Sequence, residues 1–332
     1  MAPTGRAAKR LAISSGRDAD TIHKALEASV RETGRTYFER NEANPLEEDL
    51  IIVDEASMLD ISLFYHLLCA LKDGARLILV GDIDQLPPVG AGEPLKDLMS
   101  WGYVPIVRLK RIFRQEEGSG IVENAALIRK GEMCVPDEAG EFRIVYAADD
   151  EDAYRIVMDL CRELNYGNEE NKMLLQVLSP MYRGVCGVDH LNESLQEMIH
   201  GEKVPDGMKF FPGDKVMQTR NDYEKGIYNG DVGTVWTATP QKVFVRYFDK
   251  EVVYEGEERF DLRLAYAVTV HKSQGSEYET VIFILRPSQH NMLQRNLLYT
   301  GVTRARKNTI LVTAPDALRR ALAIQHTGNR YS

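Results

Sequence analysis

Two adjacent carboxylates, Asp54 and Glu55, are the first residues in the chain whose type and spacing suit chemistry. They end the apolar run 50–53, which has the length and β-branched composition of a strand buried on both faces of a parallel sheet. Ligands of open α/β sheets bind beyond the carboxyl ends of strands, which would place both acids at a ligand site. Alternatively, the acids only begin the following helix, with Ser57 as its N-cap. The stretch alone leaves both interpretations open.

Further side chains suited to phosphate chemistry follow later apolar runs. A second strand-like run ends at Asp82 and leads to Gln85 before two prolines. The stretch 108–115 is rich in basic residues, and a predicted helix near the end carries Arg304 and Arg306. Acids, an amide and arginines at strand ends suit phosphoryl transfer. One carboxylate would hold Mg²⁺, a second would orient or deprotonate water, and arginines would neutralise charge on the γ-phosphate.

Strands and helices alternate along most of the chain. Strand-like apolar runs occur at 75–82, 172–180, 264–275, 280–285 and 309–315. Helical periodicity occurs at 149–164 and 188–199. This alternation predicts an α/β fold with parallel sheets. Between residues 203 and 260, short β-rich pieces separated by turn residues predict a small β-barrel inserted into an α/β domain.

Length, charge and cysteine usage narrow the class of protein. The 332 residues suffice for two domains, and no run of apolar residues is long enough to predict a membrane span. The net charge of −9 argues against a protein that coats nucleic acid through bulk charge, but it permits a local groove for one strand. The four cysteines show no CxxC pairing, which disfavours a zinc site or a disulfide framework and indicates the reducing cytoplasm.

The order and wording of the motifs resemble superfamily-one DNA helicases of the RecD type, the exodeoxyribonuclease V alpha-subunit family. The matching stretches, for motifs Ia to VI in order, are APTGRAAKRL (2–11), DEAS (54–57), GDIDQLPP (81–88), IFRQ (112–115), TVHKSQGSE (269–277) and YTGVTRAR (299–306). The resemblance covers residues 2 to about 315. It implies two RecA-like domains of P-loop-NTPase type that close on ATP while single-stranded DNA crosses both, with an SH3-like β-barrel inserted in the second.

The resemblance assigns roles at the nucleotide to residues of the first domain. It implies that Asp54 holds Mg²⁺ and that Glu55 activates the attacking water. Gln85 would sense the γ-phosphate.

Three further nucleotide contacts would come from the second domain. Arg114 and Arg304 would contact the γ-phosphate, and Glu277 would lie near the sugar. An arginine of this kind can contribute about 10³ to 10⁵ in rate, so removal of Arg304 is expected to abolish turnover and leave the fold intact.

Other positions match residues that face DNA in the family, namely Pro3, Thr4, Arg6, His23, Thr269 and His271. The alternative for the two histidines is a structural role, and for His23 both interpretations remain open. Motif V crowds Thr269, His271, Lys272 and Gln274 at one strand end, more polar groups than packing requires. Barrel residues that would add phosphate or stacking contacts, or else form a solvated face, are Lys209, Lys215, Arg220 and Tyr223.

The resemblance also implies domain limits. Residues 1–112 would form an incomplete first RecA-like domain, 113–202 with 261–332 the second, and 203–260 the inserted barrel. Residues 31–46 resemble the small hairpin that splits the duplex, with Tyr37 and Phe38 as candidates for its tip. Two adjacent aromatic residues are more often part of a small core.

The sequence departs from the family in one motif. It contains no G-x-x-x-x-G-K-[ST] loop, whose backbone amides and lysine cradle phosphates. We therefore expect a fragment whose first sheet lacks inner strands and exposes apolar edges, and which does not hydrolyse ATP alone.

Three functions are compatible with these patterns. The first is the motor core of an ATP-dependent DNA helicase of DNA recombination and repair, moving 5′ to 3′ by resemblance. It would act on single-stranded DNA and on junctions with duplex, alone or with other subunits of a nuclease-helicase complex. The second is a non-hydrolysing relative that binds single-stranded DNA or a partner, although such a protein has no need for the acids and arginines together. The third is the helicase part of a conjugative relaxase, but the histidine cluster of a nicking domain is absent from the sequence.

Overall fold

The chain folds into two compact units. The computed structural model describes residues 1–30, 36–109, 118–205, 207–222, 224–248 and 250–325. The units lie within Met1–Lys110 and within Arg111–His326. Across these described ranges, no helix is long and apolar enough to cross a bilayer.

The first unit contains two small sheets and four α-helices within its described part. The elements are α1 (Gly5–Ser15), α2 (Ile22–Ala25), β1 (Ala28–Val30), β2 (Thr36–Phe38), β3 (Leu50–Val53), α3 (Ile61–Cys69), β4 (Arg76–Leu79) and α4 (Pro94–Trp101). Strands β3 and β4 pair in parallel, whereas β1 and β2 pair antiparallel.

Strand β3 is buried on one face only. Ile51 and Val53 belong to the core that also contains side chains of α3, while Leu50 and Ile52 are 48% and 42% exposed. On β4, Ile78 is also exposed. The prediction of a strand buried on both faces is therefore wrong for β3. Leu50, Ile52 and Ile78 leave an exposed apolar surface on this sheet.

Strand β2 lies within the predicted hairpin segment 31–46, and its partner β1 precedes that segment. The register of the two strands pairs Ala28 with Phe38. Phe38 is buried, and its ring centroid lies 5.9 Å from that of His23 and 4.6 Å from that of His66. Tyr37 is partly exposed on the same strand. Phe38 thus packs in a small core on a strand, and the connection at 31–35 lies outside the described residues.

The second unit is built around a parallel sheet. Its elements are α5 (Gly120–Lys130), β5 (Phe142–Tyr146), α6 (Asp150–Glu163), α7 (Glu169–Leu174), β6 (Leu175–Ser179), α8 (Val188–His200), β7 (Lys215–Gln218), β8 (Val232–Ala238), β9 (Lys242–Arg246), β10 (Glu251–Glu255), β11 (Leu262–Leu264), β12 (Ala267–Thr269), β13 (Tyr278–Leu285), α9 (Arg295–Val302), β14 (Ala305–Thr313) and α10 (Pro315–Ala323). The five parallel strands run in the order β12-β6-β13-β14-β5. Helices α6 and α8 begin and end within one residue of the predicted segments.

An antiparallel sheet is inserted between α8 and β12. Its five strands run in the order β10-β9-β8-β7-β11. Inward side chains such as Val216, Val235, Val245 and Tyr254 form its own core. The sequence prediction of a separate β-rich insertion after α8 agrees with this architecture.

Asp214 joins the inserted sheet to the parallel sheet through a fully buried carboxylate. The hydroxyl of Tyr266 donates to Asp214 Oδ1 at 2.8 Å, and Nε2 of His200 lies 2.9 Å from the same oxygen. The side-chain amide of Gln196 and the backbone N–H of Phe211 donate to Oδ2. The carboxylate is therefore stabilised by hydrogen bonds from both parts of the unit.

Lys215 lies beside it and is also buried. Its ammonium donates to Gln176 Oε1 at 2.9 Å, to the carbonyl of Leu175 at 3.0 Å and to the hydroxyl of Tyr166 at 3.4 Å. Only 1% of Lys215 is exposed, so the suggestion that it contacts phosphate is wrong. Periodicity places a lysine on a strand but does not reveal which face a neighbouring element covers.

Candidate active site

The acids of motif II lie on a turn that directly follows β3. Asp54 Oδ1 accepts a hydrogen bond from the backbone N–H of Glu55 at 2.9 Å. Glu55 has a φ of 53° and a ψ of 37°, a left-handed conformation that costs a residue with a Cβ about 1–2 kcal/mol. Such strain concentrates at functional sites, where the surrounding structure compensates for it.

The acids do not begin the next helix. The N-cap of α3 is Asp60, whose Oδ1 accepts from the N–H of Leu63 at 2.8 Å, and a short 3-10 helix, Ala56–Met58, intervenes. The interpretation of Ser57 as the helix cap is therefore wrong. The acids instead end the strand, as the ligand-site interpretation requires.

The loop after β4 lies against this turn. The N–H of Ala56 donates to the carbonyl of Val80 at 2.8 Å. A Cβ on Gly81 would stand 2.8 Å from the backbone nitrogen of Ser57, so this close approach requires glycine. Because β3 and β4 are parallel neighbours, their carboxyl ends bring the acids and the Gln85 loop to one edge.

Gln85 and the motif II turn share a cleft. The cleft is lined by Ser57, Ile83, Gln85, Pro87, Pro88, Glu93, Leu95 and Lys96. The amide nitrogen of Gln85 donates to Asp82 Oδ2 at 3.4 Å. Ser57 Oγ is buried without a hydrogen-bond partner among the residues that the structure describes. The cleft therefore combines a positioned amide with an unsatisfied hydroxyl.

Glu55 has a charged contact that the sequence did not reveal. Arg10 Nη2, on α1, donates to Glu55 Oε1 at 3.4 Å. Glu55 is 7% exposed, while the side chain of Arg10 is 36% exposed. Nothing in the local pattern around Arg10 distinguishes it from Lys9, because its contact lies 45 residues away in the chain.

The predicted DNA contacts of the first unit lie near the start of α1. Thr4 is the N-cap and accepts from the N–H of Ala7 at 3.3 Å, and Pro3 precedes it. Arg6 Nη1 is buried and has no hydrogen-bond partner within the described ranges. Ala2 forms a parallel bridge with Thr21, which brings the His23 segment beside this helix start.

His23 shows features of a structural residue. Its ring lies near that of Phe38, and burial lowers its pKa below the usual value, an effect that the charge of Asp60 opposes. The structure thus brings the segment to the predicted DNA contacts but packs the imidazole against the core.

Motif V crosses from the parallel sheet toward the inserted sheet. Thr269 ends β12, is 5% exposed, and its hydroxyl accepts from the N–H of Lys272 at 3.2 Å. His271 begins the 3-10 helix that follows. The ammonium of Lys272 donates to Asn229 Oδ1 at 2.7 Å, a contact with the inserted sheet that sequence reasoning missed. Burial, followed by the charge of Arg263, lowers the pKa of Lys272.

Arg304 is buried in a turn. Helix α9 ends at Val302, so the prediction of a helix carrying both arginines is wrong: Arg304 follows the helix and Arg306 lies on β14. Arg304 is 2% exposed, and its guanidinium donates to the carbonyls of Thr300 and Ser276, each at 3.1 Å. Removal of Arg304 would leave these carbonyls without those donors, so a substitution that leaves the fold unaffected is no longer expected.

The structure describes three of the remaining predicted positions, Glu277, Lys209 and Arg220. Glu277 Oε2 lies 4.0 Å from Arg306 Nε. Lys209 donates to the carbonyl of Leu262, and Arg220 lies near Asp261 with 80% of its side chain exposed. Arg114 and Tyr223 lie outside the described residues.

Asp54 is the candidate Mg²⁺ ligand at this edge. In the described ranges, no three histidine, cysteine or acidic side chains converge as a metal site. Mg²⁺ in nucleotide enzymes is held by one or two carboxylates together with waters and phosphates. Asp54 at the end of β3 fits that requirement. The four cysteines are free thiols.

Comparison with known proteins first indicates the class of protein to which this fold corresponds. Family models match residues 1–143 (AAA domain), 191–247 (ATP-dependent RecD-like DNA helicase SH3 domain) and 264–312 (UvrD-like helicase C-terminal domain). A Bacteroides Pif1 helicase in complex with ADP-AlF3 and single-stranded DNA aligns with a TM-score of 0.56 at 21% identity, covering 96% of this chain and 83% of that one. Pif1 from Candida albicans aligns with a TM-score of 0.55 at 18% identity, covering 98% and 86%. The fold is that of the RecA-type helicases.

Within that class, the chain is similar to RecD-type DNA helicases. It is 38% identical to the ATP-dependent RecD2 DNA helicase of Deinococcus radiodurans over 98% of this chain and 44% of the relative. It is 32% identical to the RecBCD enzyme subunit RecD of Mycolicibacterium smegmatis over 99% of this chain and 64% of that protein. The chain thus spans about half the length of the curated relatives it matches.

Proposed function

We propose that the chain is the motor core of an ATP-dependent DNA helicase, which couples ATP hydrolysis to movement on single-stranded DNA and to duplex unwinding. The observation that carries this proposal is the edge formed by β3 and β4, where Asp54 and Glu55 lie beside the loop of Gln85. The names of the relatives support ATP-dependent helicase activity, and the Bacteroides neighbour binds a nucleotide analogue and single-stranded DNA.

The acids and the amide have distinct proposed roles. Asp54 would hold Mg²⁺, which supplies charge neutralisation at the phosphates when bound. Glu55 would orient and deprotonate the attacking water, and its buried, left-handed position fixes its carboxylate at the edge. Gln85 would donate its amide N–H to the γ-phosphate from the shared cleft.

The second unit would supply positive charge and a sugar contact. Arg304 and Arg114 are the proposed γ-phosphate ligands, and Glu277 the proposed contact near the sugar. The buried guanidinium of Arg304 donates hydrogen bonds to two backbone carbonyls. To bind a phosphate, it would exchange these hydrogen bonds for new ones.

The DNA would contact both units at polar positions. These proposed contacts are Pro3, Thr4, Arg6, His23, Thr269 and His271. Because the net charge is −9, such binding depends on local groups and not on overall attraction. Thr4 caps α1 and Thr269 caps the motif V turn, so both hydroxyls lie next to backbone N–H groups.

The wider setting is part of the same proposal. We propose that the substrates are single-stranded DNA and its junctions with duplex, in recombination and repair in the cytoplasm, with polarity 5′ to 3′. Relatives named as RecBCD subunits support association with a nuclease-helicase complex. The proposed domain limits are 1–112, 113–202 with 261–332, and 203–260 for the inserted domain.

The test is ATP hydrolysis by the full-length protein with and without single-stranded DNA. We expect DNA-stimulated hydrolysis, reduced by about 10² to 10⁴ in Glu55→Gln because the general base is lost. Glu279→Gln is the matched control, since Glu279 is a partly exposed partner of Lys307 and its loss should change the rate less than about twofold. DNA binding without any stimulated hydrolysis would contradict the motor and favour the non-hydrolysing relative.

A further inference from the structure

The contact between Arg10 and Glu55 places a partly exposed cation on the proposed catalytic base. Arg10 Nη2 lies 3.4 Å from Glu55 Oε1, longer than the ~2.8 Å of a strong charge-assisted hydrogen bond. The Arg10 side chain is about one-third exposed, whereas Glu55 is buried. A guanidinium carries five N–H donors. The contact is therefore longer than a strong ion pair, and the exposed part of the guanidinium can be approached by a second anion.

That second anion has a proposed position one helical turn away. Arg6 and Arg10 are four residues apart on α1, and side chains at this spacing lie on the same helix face about 6 Å apart at Cβ. Arg6 Nη1 is buried and has no hydrogen-bond partner in the part of the chain that the structure describes. Arg6 is a proposed DNA contact, so a phosphate bound there would lie within reach of Arg10.

We infer that Arg10 is a positioning residue that makes Glu55 respond to single-stranded DNA, an inference that rests on the proposed function. Without DNA, Arg10 donates to the carboxylate oxygen that would accept the proton of water. A DNA phosphate at Arg6 competes for the same guanidinium, because both anions attract it over a few ångströms. Arg10 then turns to the phosphate and releases Glu55.

This competition has a consequence for binding alone. If DNA weakens the Arg10–Glu55 pair, the pair must weaken DNA binding by the same factor. The coupling is therefore measurable without hydrolysis. It requires Arg10 and Glu55 together, and it disappears when either side chain is removed.

The experiment measures the affinity of this chain for a fluorescein-labelled oligothymidylate at low salt, by anisotropy. We expect Glu55→Gln to tighten binding about fivefold. In an Arg10→Met background the same change should tighten binding less than about 1.5-fold. Lys9→Met is the matched control, because it removes the neighbouring cation of α1. In the Lys9→Met background, Glu55→Gln should still tighten DNA binding about fivefold.

Different outcomes separate this inference from the proposed function. Equal gains in the wild-type and Arg10→Met backgrounds would show only the loss of one negative charge, and would overturn the inference while leaving the helicase proposal unaffected. Absence of DNA binding in the wild-type chain would contradict both. Arg10→Gln serves as a second variant, and circular dichroism confirms that each protein is folded.

Hydrolysis by the full-length protein provides an independent measurement. Arg10→Met should raise the rate without DNA and reduce the stimulation by DNA, because Glu55 is no longer held. A residue with a merely structural role would lower both rates in proportion, and that result would count against the inference.

Discussion

The two parallel sheets of this protein differ in how their strands are covered. In the first unit, β3 and β4 bury one face, and Ile52 is 42% exposed. In the second unit, β6 and most of β13 are buried on both faces, and Ile282 is fully buried. Both sheets end at polar residues with proposed chemistry. Similar apolar runs therefore acquire different stabilities from their neighbours.

The two units also differ in how their buried charged residues are held. The second unit buries Asp214 and Lys215 with several hydrogen bonds to each, which joins its two sheets. The first unit buries Glu55 beside Arg10, whose Nη2 donates to Glu55 Oε1 at 3.4 Å. Short, fully satisfied hydrogen bonds rigidify a fold, whereas a long contact between charged groups permits alternative arrangements. This contrast suits a scaffold in the second unit and a responsive site in the first.

The largest effect on stability is expected at Asp214, which joins the two sheets of the second unit. Asp214→Ala leaves several buried donors unsatisfied and should lower the free energy of unfolding by about 3–5 kcal/mol. Asp316→Ala is the matched control, since Asp316 forms an exposed i,i+3 pair with Arg319 and should change it by less than about 0.5 kcal/mol. Urea unfolding measures both. Equal effects would show that the joint contributes nothing specific.

The second-largest effect is expected when one isoleucine of each parallel sheet is replaced by alanine. Ile282→Ala should cost about 2–5 kcal/mol because it opens a cavity in a covered sheet. Ile52→Ala should cost about 1 kcal/mol or less because its side chain is already partly in water.

Each unit contains one of the two tryptophans, Trp101 and Trp236, so single-tryptophan variants report the unfolding of each unit separately. A cost at Ile52 as large as that at Ile282 would mean that the open face of the first sheet is covered in solution.

The smallest effect concerns pH in the first unit. Burial lowers the pKa of His23 in the folded state, so below its ordinary value near 6.5 the unfolded chain binds more protons. The free energy of unfolding of the first unit should therefore decrease as the pH is lowered from about 7 to about 5. His23→Gln should reduce this decrease, as measured by urea unfolding at both pH values. An unchanged slope would exclude His23 as its source.

Much of the fold was predictable because it depends on short-range patterns. Apolar runs followed by polar residues identified β4, β6, β13 and β14, and helical periodicity identified α6 and α8. A change to short strands and turn residues identified the inserted sheet. The candidate edge at Asp54 and Gln85 was predictable because parallel neighbours place their carboxyl ends together.

The sequence by itself determined the order of elements, the motif residues and the edge where the acids stand, since each depends on neighbours along the chain. Only the tertiary structure decided that Lys215 is buried, that Arg304 lies in a turn bonded to two carbonyls, and that Arg10 contacts Glu55. Packing between distant segments sets these outcomes, and local periodicity does not encode which face or which distant charge a side chain meets.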